Sequence, residues 1–201
     1  MITTVSQAQL KLGFQVAPTI STNRVDSETL LINVDNDGTG INLSLGPIAD
    51  IQLTDNYYVS TGLLFTSKRV GFEVTESITG NSLSEEYSLQ YLQIPATMKL
   101  FTNEIGLDKR IFFQFGGTFD FNIQQESESD LNVLVDDFRF FDISLLAGVG
   151  MEYQLGTTTI AYISITYHRG LIDAIDETNI GVIGDISLNN DYFALNFGVK
   201  F

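Results

Sequence analysis

Two sets of residues in the sequence carry side chains that could do chemistry, and the first centres on a histidine. His168 is the only histidine of the chain, and Asp142, Glu152 and many serines accompany it. A histidine, a carboxylate and a serine within hydrogen-bond reach can hydrolyse an ester, including a lipid ester. No spacing motif in the sequence supports such a triad. We favour the interpretation of a histidine in a buried charge network, and we expect no catalytic activity.

The second set resembles the start of a calcium loop. The run from Asp35 to Gly40, DNDGTG, brings oxygen ligands close together beside glycines that permit a turn. The complete motif also needs a glutamate at its twelfth position, which is Gly46 in this chain. Asp-Gly is equally an ordinary turn signal. Asp35 and Asp37 are therefore the calcium candidates of the sequence, and no cofactor is expected.

The elements that would position these residues are long alternating strands. In residues 111–123, IFFQFGGTFDFNI, the odd positions carry no charge and the even positions are mostly small or polar. Alternate side chains of a strand point to opposite faces, so one face is apolar and the other polar. A strand that crosses a bilayer at a steep tilt needs roughly nine to eleven residues. The segment therefore predicts one wall of a membrane β-barrel.

The same alternation recurs along the chain and predicts eight strands. They cover residues 9–21, 40–53, 57–70, 87–101, 111–123, 141–153, 163–168 and 193–201. Short connections alternate with the long segments 22–39, 71–86, 125–137 and 172–188, as in outer-membrane barrels. The predicted fold is all-β: an eight-stranded, antiparallel, up-and-down transmembrane β-barrel.

Irregularities are predicted at four places in these strands. In the fourth strand the alternation changes phase at Tyr91-Leu92, which predicts a bulge. Pro18, Pro47 and Pro95 lie within predicted strands, where each removes a backbone hydrogen bond. We therefore expect bulges or strand ends at the three prolines.

A soluble, lipocalin-like carrier is the alternative barrel, with its apolar face turned inward around a ligand. Alternation alone does not decide which face is inside. Strand length, the alternation of short and long connections, and aromatic residues at strand ends favour the membrane barrel. These aromatic residues are Tyr57, Tyr87, Tyr153, Tyr167 and Phe193.

The charged residues of the strands fall on the polar faces, where they would form a lumen charge network. Its predicted members are Lys11, Asp50, Lys68, Lys99, Asp120, Asp142, Glu152, His168 and Lys200. An eight-stranded barrel is just wide enough for side chains to fill it, and buried charges must then pair. Most of the remaining acids lie in or beside the long connections. The sequence therefore predicts a plugged polar core beneath acidic loops.

Composition bounds the remaining possibilities. The net charge is −15, which excludes nucleic acid as a partner because phosphate binding needs a basic surface. The chain has no cysteine and no apolar run of transmembrane-helix length. Residues 1–8 resemble the end of a secretory signal peptide or form a flexible extension, and residues 9–201 form a single barrel domain.

Three motifs on predicted strands resemble those of the PorT family of outer-membrane barrels from Bacteroidetes-type bacteria. Residues 91–99, YLQIPATMK, resemble its Tyr-Leu-(Glu)-Ile-Pro-x-x-x-Lys signature. Residues 144–153, SLLAGVGMEY, and 167–171, YHRGL, are similar to its Gly-x-Gly-x-Glu-Tyr and Arg-Tyr-x-x-Gly-Leu stretches. Gln93 replaces the usual glutamate, and Thr166 stands where the arginine would be.

The resemblance implies an eight-stranded barrel in the bacterial outer membrane, related to a protein tied to type IX protein secretion. It also implies that the terminal Phe201 is the signal for barrel assembly. We expect a non-enzymatic structural or interaction subunit of an envelope complex, in contact with outer-membrane lipid and a membrane-protein partner. A lumen lipid hydrolase and a soluble carrier are the alternatives.

Overall fold

The computed structural model describes most of the chain. The described residues are 9–22, 24–27, 32–36, 41–76, 82–127, 135–173, 175–178 and 186–201. None of the described segments forms a helix long and apolar enough to cross a membrane.

Eight long strands form the structure. In chain order they are β1 (Leu10–Ser21), β2 (Ile41–Gln52), β3 (Tyr57–Gly62, continued as Leu64–Glu76), β4 (Ser82–Phe101), β5 (Lys109–Ser127), β6 (Phe141–Gln154), β7 (Ile160–Gly170) and β8 (Tyr192–Lys200). Each strand pairs antiparallel with its neighbours in the chain. β1 also pairs antiparallel with β8, so the sheet closes on itself. The predicted eight-stranded antiparallel barrel is confirmed.

The two ends of the barrel differ. Residues 53–56, 102–108 and 155–159 make short connections at one end, which we call the turn end. The opposite end, called the loop end, has the longer connections. Here three short strand pairs add to the barrel: Arg24–Ser27 with Ile186–Asn189, Val135–Phe138 with Ile175–Thr178, and Ile32–Asn36 with the end of β3.

Parts of the expected long loops are strand instead. β3 continues to Glu76, β4 begins at Ser82 and β5 continues to Ser127, so these strands extend into the expected loops 71–86 and 125–137. The backbone pairing of β3 with β4 continues without a break from Leu64 to Thr75. The extensions contain Glu73, Glu76, Glu85, Glu86 and Glu126. Glutamate is depleted in strands, so the composition indicated loops there.

The two faces of the barrel wall have opposite polarity. Leu12, Phe14, Phe113 and Phe115 point outward and are 57%, 49%, 54% and 49% exposed. Asp50, Thr118 and Asp120 point into the lumen and are fully buried. A soluble carrier would place these faces the other way round, since water disfavours a continuous apolar surface. The barrel is therefore built for lipid outside, and the lipocalin-like alternative is excluded.

The predicted bulge in the fourth strand is wrong. β4 keeps one alternation from Tyr87 to Phe101, and Tyr87, Leu89 and Tyr91 point into the lumen with Gln93. The register shift lies on the neighbouring strand, where Ile123 is the extra residue between the partners of Gln90 and Tyr91. Three large apolar or aromatic side chains therefore face inward, where polarity alone would place polar ones. A change in polarity was thus mistaken for a change in side-chain direction.

The prolines do not produce bulges. Pro47 lies opposite Leu63, where β3 is interrupted for one residue, and the register is the same on both sides. Leu63 donates its backbone N–H to the Pro47 carbonyl at 3.0 Å, but Pro47 has no N–H to return the bond. Pro18 and Pro95 lie within continuous strands. Pro47 itself also lies within a continuous strand, so the expected strand ends at the prolines are wrong, and the interruption lies at Leu63 on the neighbouring strand.

Candidate functional site

The nine charged residues predicted for the lumen all point inward, but they do not form one network. Lys11, Asp50, Lys99, Glu152 and Lys200 gather near the turn end with Arg110, and we call these six residues the turn-end cluster. Lys68, Asp120, Asp142 and His168 gather near the loop end with Gln93, Asn190 and Tyr192, and we call these seven the loop-end cluster.

Asp50 is the centre of the turn-end cluster. Its carboxylate accepts hydrogen bonds from the Lys99 ammonium at 3.0 and 3.1 Å and from the Lys200 ammonium at 2.6 Å. Lys200 also donates to Glu152. These four residues belong to β2, β4, β6 and β8, so their contacts join four strands across the lumen. Paired in this way, the buried charges avoid the penalty of an isolated ion.

Arg110 completes this cluster and is not among the lumen residues predicted from the sequence. Its guanidinium lies 3.5 Å from a Glu152 oxygen and 4.5 Å from the centre of the Phe101 ring. Lys11 lies over the Tyr58 ring at 5.3 Å. Arg110 precedes the segment 111–123 by one residue. Extending the alternation one step back would have placed it on the inner face.

Aromatic side chains fill the lumen around the turn-end cluster. Tyr58 packs on Phe101 with ring centres 4.9 Å apart, and Phe101 packs on Phe112 at 5.4 Å. The Lys99 ammonium lies 5.4 Å from the centre of the Phe112 ring and 5.3 Å from that of Tyr162. Such cation–π contacts stabilise a charge that has lost its water. The rings and the ion pairs together form a plug.

Lys68 is the centre of the loop-end cluster. Its ammonium lies 2.7 Å from Asp120 and 3.4 Å from Asp142, and 4.4 Å from the centre of the Tyr91 ring. Asn190 donates to the second carboxylate, that of Asp142, at 3.0 Å. Here one buried ammonium neutralises two buried carboxylates.

A small cavity lies between the two clusters. Its volume is about 30 Å³, which leaves room for only one or two waters.

Gln93 explains one departure from the PorT-like signature. Its amide donates to Asp120 at 2.9 Å and to the Tyr192 hydroxyl at 2.8 Å. A glutamate at this position would face the Asp120 carboxylate with a second negative charge, whereas an amide supplies donors. Thr166, at the position of the family's arginine, contacts His168 and Asn196 through its hydroxyl.

The structure does not assemble a hydrolytic triad around His168. The imidazole stacks on Tyr192 with ring centres 4.1 Å apart, and its Nε2 lies 3.2 Å from the Thr166 hydroxyl. Within the described part of the chain, neither its Nδ1 nor the Ser144 hydroxyl has a hydrogen-bond partner. His168 is 4% exposed and Ser144 is fully buried. A triad needs its members hydrogen-bonded and open to substrate.

The calcium candidates contribute no site that the structure describes. The backbone of Asp35 pairs with Glu73 in a strand, and Asp37 lies outside the described residues. Among the described histidines and carboxylates, no group of three is placed to hold a metal ion.

The predicted assembly signal, Phe201, lies at the turn end. It is 66% exposed and donates its backbone N–H to the Leu12 carbonyl.

A further cluster ties strands together at the loop end. The Asp191 carboxylate accepts hydrogen bonds from Arg24 Nε at 2.8 Å, the Gly170 N–H at 2.9 Å and the Tyr167 hydroxyl at 3.0 Å. It therefore joins the segment after β1 to the end of β7 and the start of β8. We call Asp191 and its three partners, Arg24, Tyr167 and Gly170, the loop-end clasp. Sequence alternation gave no sign of it, since Arg24 and Asp191 lie outside the barrel strands.

A closed eight-stranded barrel with an apolar wall and a charged lumen defines an outer-membrane β-barrel protein, located in the bacterial outer membrane. The chain belongs to the family of outer membrane protein β-barrel domains, whose sequence profile matches residues 5–176. No curated protein matches the sequence.

Two solved outer-membrane proteins have similar structures. The outer membrane protein OprG from Pseudomonas aeruginosa superimposes with a TM-score of 0.60 at 10% identity, covering 96% of each chain. Neisserial surface protein A superimposes with a TM-score of 0.52 at 12% identity, covering 96% of this chain and 97% of that one. At this identity the likeness establishes the fold alone.

Proposed function

We propose that this barrel is a non-enzymatic interaction subunit of an envelope complex, which presents its acidic loop end to a partner protein outside the cell. The observation that carries the proposal is the distribution of charge. Five basic and five acidic residues lie at the turn end, and they cancel: Lys11, Lys99, Lys109, Arg110 and Lys200 against Asp50, Asp55, Glu104, Asp108 and Glu152. The entire net charge of −15 therefore belongs to the loop-end half of the strands and the segments that connect them there.

The closed lumen supports this proposal because it disfavours transport. Open aqueous pores normally need sixteen or more strands. Here Asp50 with its two lysines, and Lys68 with its two carboxylates, connect opposite walls at two levels. A barrel whose interior is occupied by its own side chains has its outer wall and its two ends available for function.

The PorT-like motifs support a role in a secretion or assembly complex through the family resemblance, although their key residues face the lumen. Gln93 and Lys99 of the first motif and Glu152 of the second belong to the two charge clusters. The motifs therefore describe how this kind of barrel is packed. A role in protein secretion of type IX, or in outer-membrane assembly, follows only from the family resemblance and is part of the proposal.

Affinity purification tests the proposal. We expect the tagged protein, extracted from bacterial envelopes in mild detergent, to bring a stoichiometric partner with it. A variant with Asp136→Asn and Asp137→Asn, in a loop-end connection, should retain less of that partner. The matched control, Asp55→Asn with Asp108→Asn, removes two charges from the turn end and should retain it fully. Recovery of the barrel alone, under conditions that preserve other envelope complexes, would contradict the proposal.

A further inference from the structure

The turn end contains an open cavity at the mouth of the lumen. Its volume is about 530 Å³, within the range of roughly 300–1,000 Å³ that is typical of small-molecule sites. Its polar lining includes Gln9, Lys11, Gln52, Arg110, Gln154 and Thr158. Since long loops of outer-membrane barrels face outside the cell, this mouth opens to the periplasm.

Cations outnumber carboxylates beneath this mouth. The turn-end cluster holds four cations and two carboxylates. Asp50 is occupied by Lys99 and Lys200, and Glu152 is occupied by Lys200, which leaves Arg110 a single contact at 3.5 Å. Within the described residues, Lys11 has no carboxylate oxygen within 4 Å. Two positive charges, one on Lys11 and one on Arg110, are therefore not neutralised within the cluster.

The surroundings of these two cations suit an anionic ligand. Arg110 rests against Phe101 and lies 6.0 Å from the centre of the Tyr58 ring, over which Lys11 also lies. Aromatic walls reduce the water around both cations, so each attracts an anion more strongly than a fully exposed side chain would. Among the side chains that line the cavity, the one with the opposite charge is Glu104, which is exposed at the rim and screened by solvent.

The neutral lining groups add hydrogen-bond donors. Three glutamine amides and the hydroxyls of Thr157 and Thr158 line the cavity together with the two cations. Carboxylate and phosphate oxygens accept hydrogen bonds from all of these groups, and a guanidinium binds both anions in a two-pronged geometry.

We propose that the turn-end mouth binds a small periplasmic anion that bears carboxylate or phosphate groups, held by Lys11 and Arg110. The site lies at the opposite end of the barrel from the acidic loops. It neither requires a partner at those loops nor follows from one, so the two proposals stand or fall separately.

Titration of the purified full chain in zwitterionic detergent tests the site, with citrate as the carboxylate probe and pyrophosphate as the phosphate probe. We expect saturable one-to-one binding by calorimetry for at least one probe, weakening with added salt. Lys11→Gln and Arg110→Gln should each weaken binding about tenfold, as expected for the loss of one charge-assisted hydrogen bond. Preference for citrate or for pyrophosphate identifies the ligand class.

Lys109→Gln is the matched control. It removes the same charge one position away, from an exposed side chain whose ammonium lies 5.6 Å from the centre of the Tyr153 ring on the outer wall. Its affinity should stay within about twofold of the parent because a distant exposed charge is screened. A Lys11→Arg variant, which keeps the charge, should retain binding and so separates charge loss from misfolding. Failure of the parent protein to bind either probe, or equal weakening by Lys109→Gln, would overturn the proposal.

Discussion

Lys200 on β8 donates a hydrogen bond of 2.6 Å to Asp50 on β2, and β1 lies between these two strands. The bond therefore crosses the seam where the last strand pairs with the first. Gly13 on β1 pairs with Lys200, and a Cβ atom at Gly13 would lie 2.7 Å from Cγ of the lysine. Because Gly13 has no side chain, the Lys200 side chain has room to reach Asp50. A contact that neutralises the core thus also spans the seam at which the barrel closes.

Asp50→Asn should strongly destabilise the barrel, because it leaves Lys99 and Lys200 beside a neutral amide in a buried site. Removal of one partner from a buried ion pair typically costs about 3–5 kcal/mol. We expect a lower urea midpoint for unfolding from lipid vesicles, measured by far-UV circular dichroism since the chain has no tryptophan. Asp55→Asn, in an exposed turn, should change the free energy of unfolding by less than about 0.5 kcal/mol. Equal midpoints for the two variants would refute the role of Asp50.

Lys68→Met should also destabilise the barrel, since it leaves Asp120 and Asp142 without their shared cation. Both carboxylates are almost fully buried, so the loss should again be about 3–5 kcal/mol in the free energy of unfolding. Adding Asp120→Asn and Asp142→Asn to Lys68→Met should recover much of that loss, because the triple variant buries no unpaired charge. If the triple variant were less stable than the single one, packing rather than charge would explain the effect.

Gly198→Val should disturb the aromatic plug. A Cβ atom at Gly198 would lie 2.6 Å from the Tyr162 hydroxyl, which donates to Gln15 at 2.7 Å. Overpacking of this kind costs about 1–3 kcal/mol. Gly117→Val is the matched control, since a Cβ atom there meets only the Ser144 carbonyl, at 3.3 Å. The urea midpoint should fall for Gly198→Val by more than for Gly117→Val; the reverse order would contradict the packing described here.

Asp191→Ala should loosen the loop end without unfolding the barrel. The substitution removes the acceptor of the Gly170 N–H, the Tyr167 hydroxyl and Arg24. We expect faster hydrogen exchange at the Gly170 amide, while amides in the middle of β5 remain protected. Arg24→Gln removes only one of the three contacts and should have a smaller effect on exchange. Unchanged exchange at Gly170 in the Asp191 variant would show that the clasp does not hold the loop end.

The sequence predicted the barrel and the direction of most side chains because both follow from one local rule. Alternation with a period of two placed Lys11, Asp50, Lys99 and Lys200 on the inner face. The rule failed at Tyr87, Leu89 and Tyr91, where large apolar or aromatic side chains fill the lumen. Polarity is a sign of direction only where the interior is uniformly polar, and this interior is not.

The division of the lumen charges into two clusters could not be predicted from the sequence, for a different reason. Whether Lys99 contacts Asp50 or Asp120 depends on how far each strand is displaced along its neighbour, which is a property of the closed sheet. The loop-end clasp was missed because Arg24 and Asp191 lie in segments without alternation. A single sequence therefore predicts the strands of such a barrel wall more readily than the side-chain contacts in the lumen.

Ion conductance across a planar lipid bilayer tests the closed lumen most directly. The ion pairs at Asp50 and Lys68 connect opposite walls, and the cavity between them has a volume of about 30 Å³. We therefore predict that the reconstituted protein gives no stable conductance steps at any salt concentration at which the barrel remains folded. Reproducible steps that scale with salt concentration would contradict a plugged lumen and would favour transport over the presentation of loops.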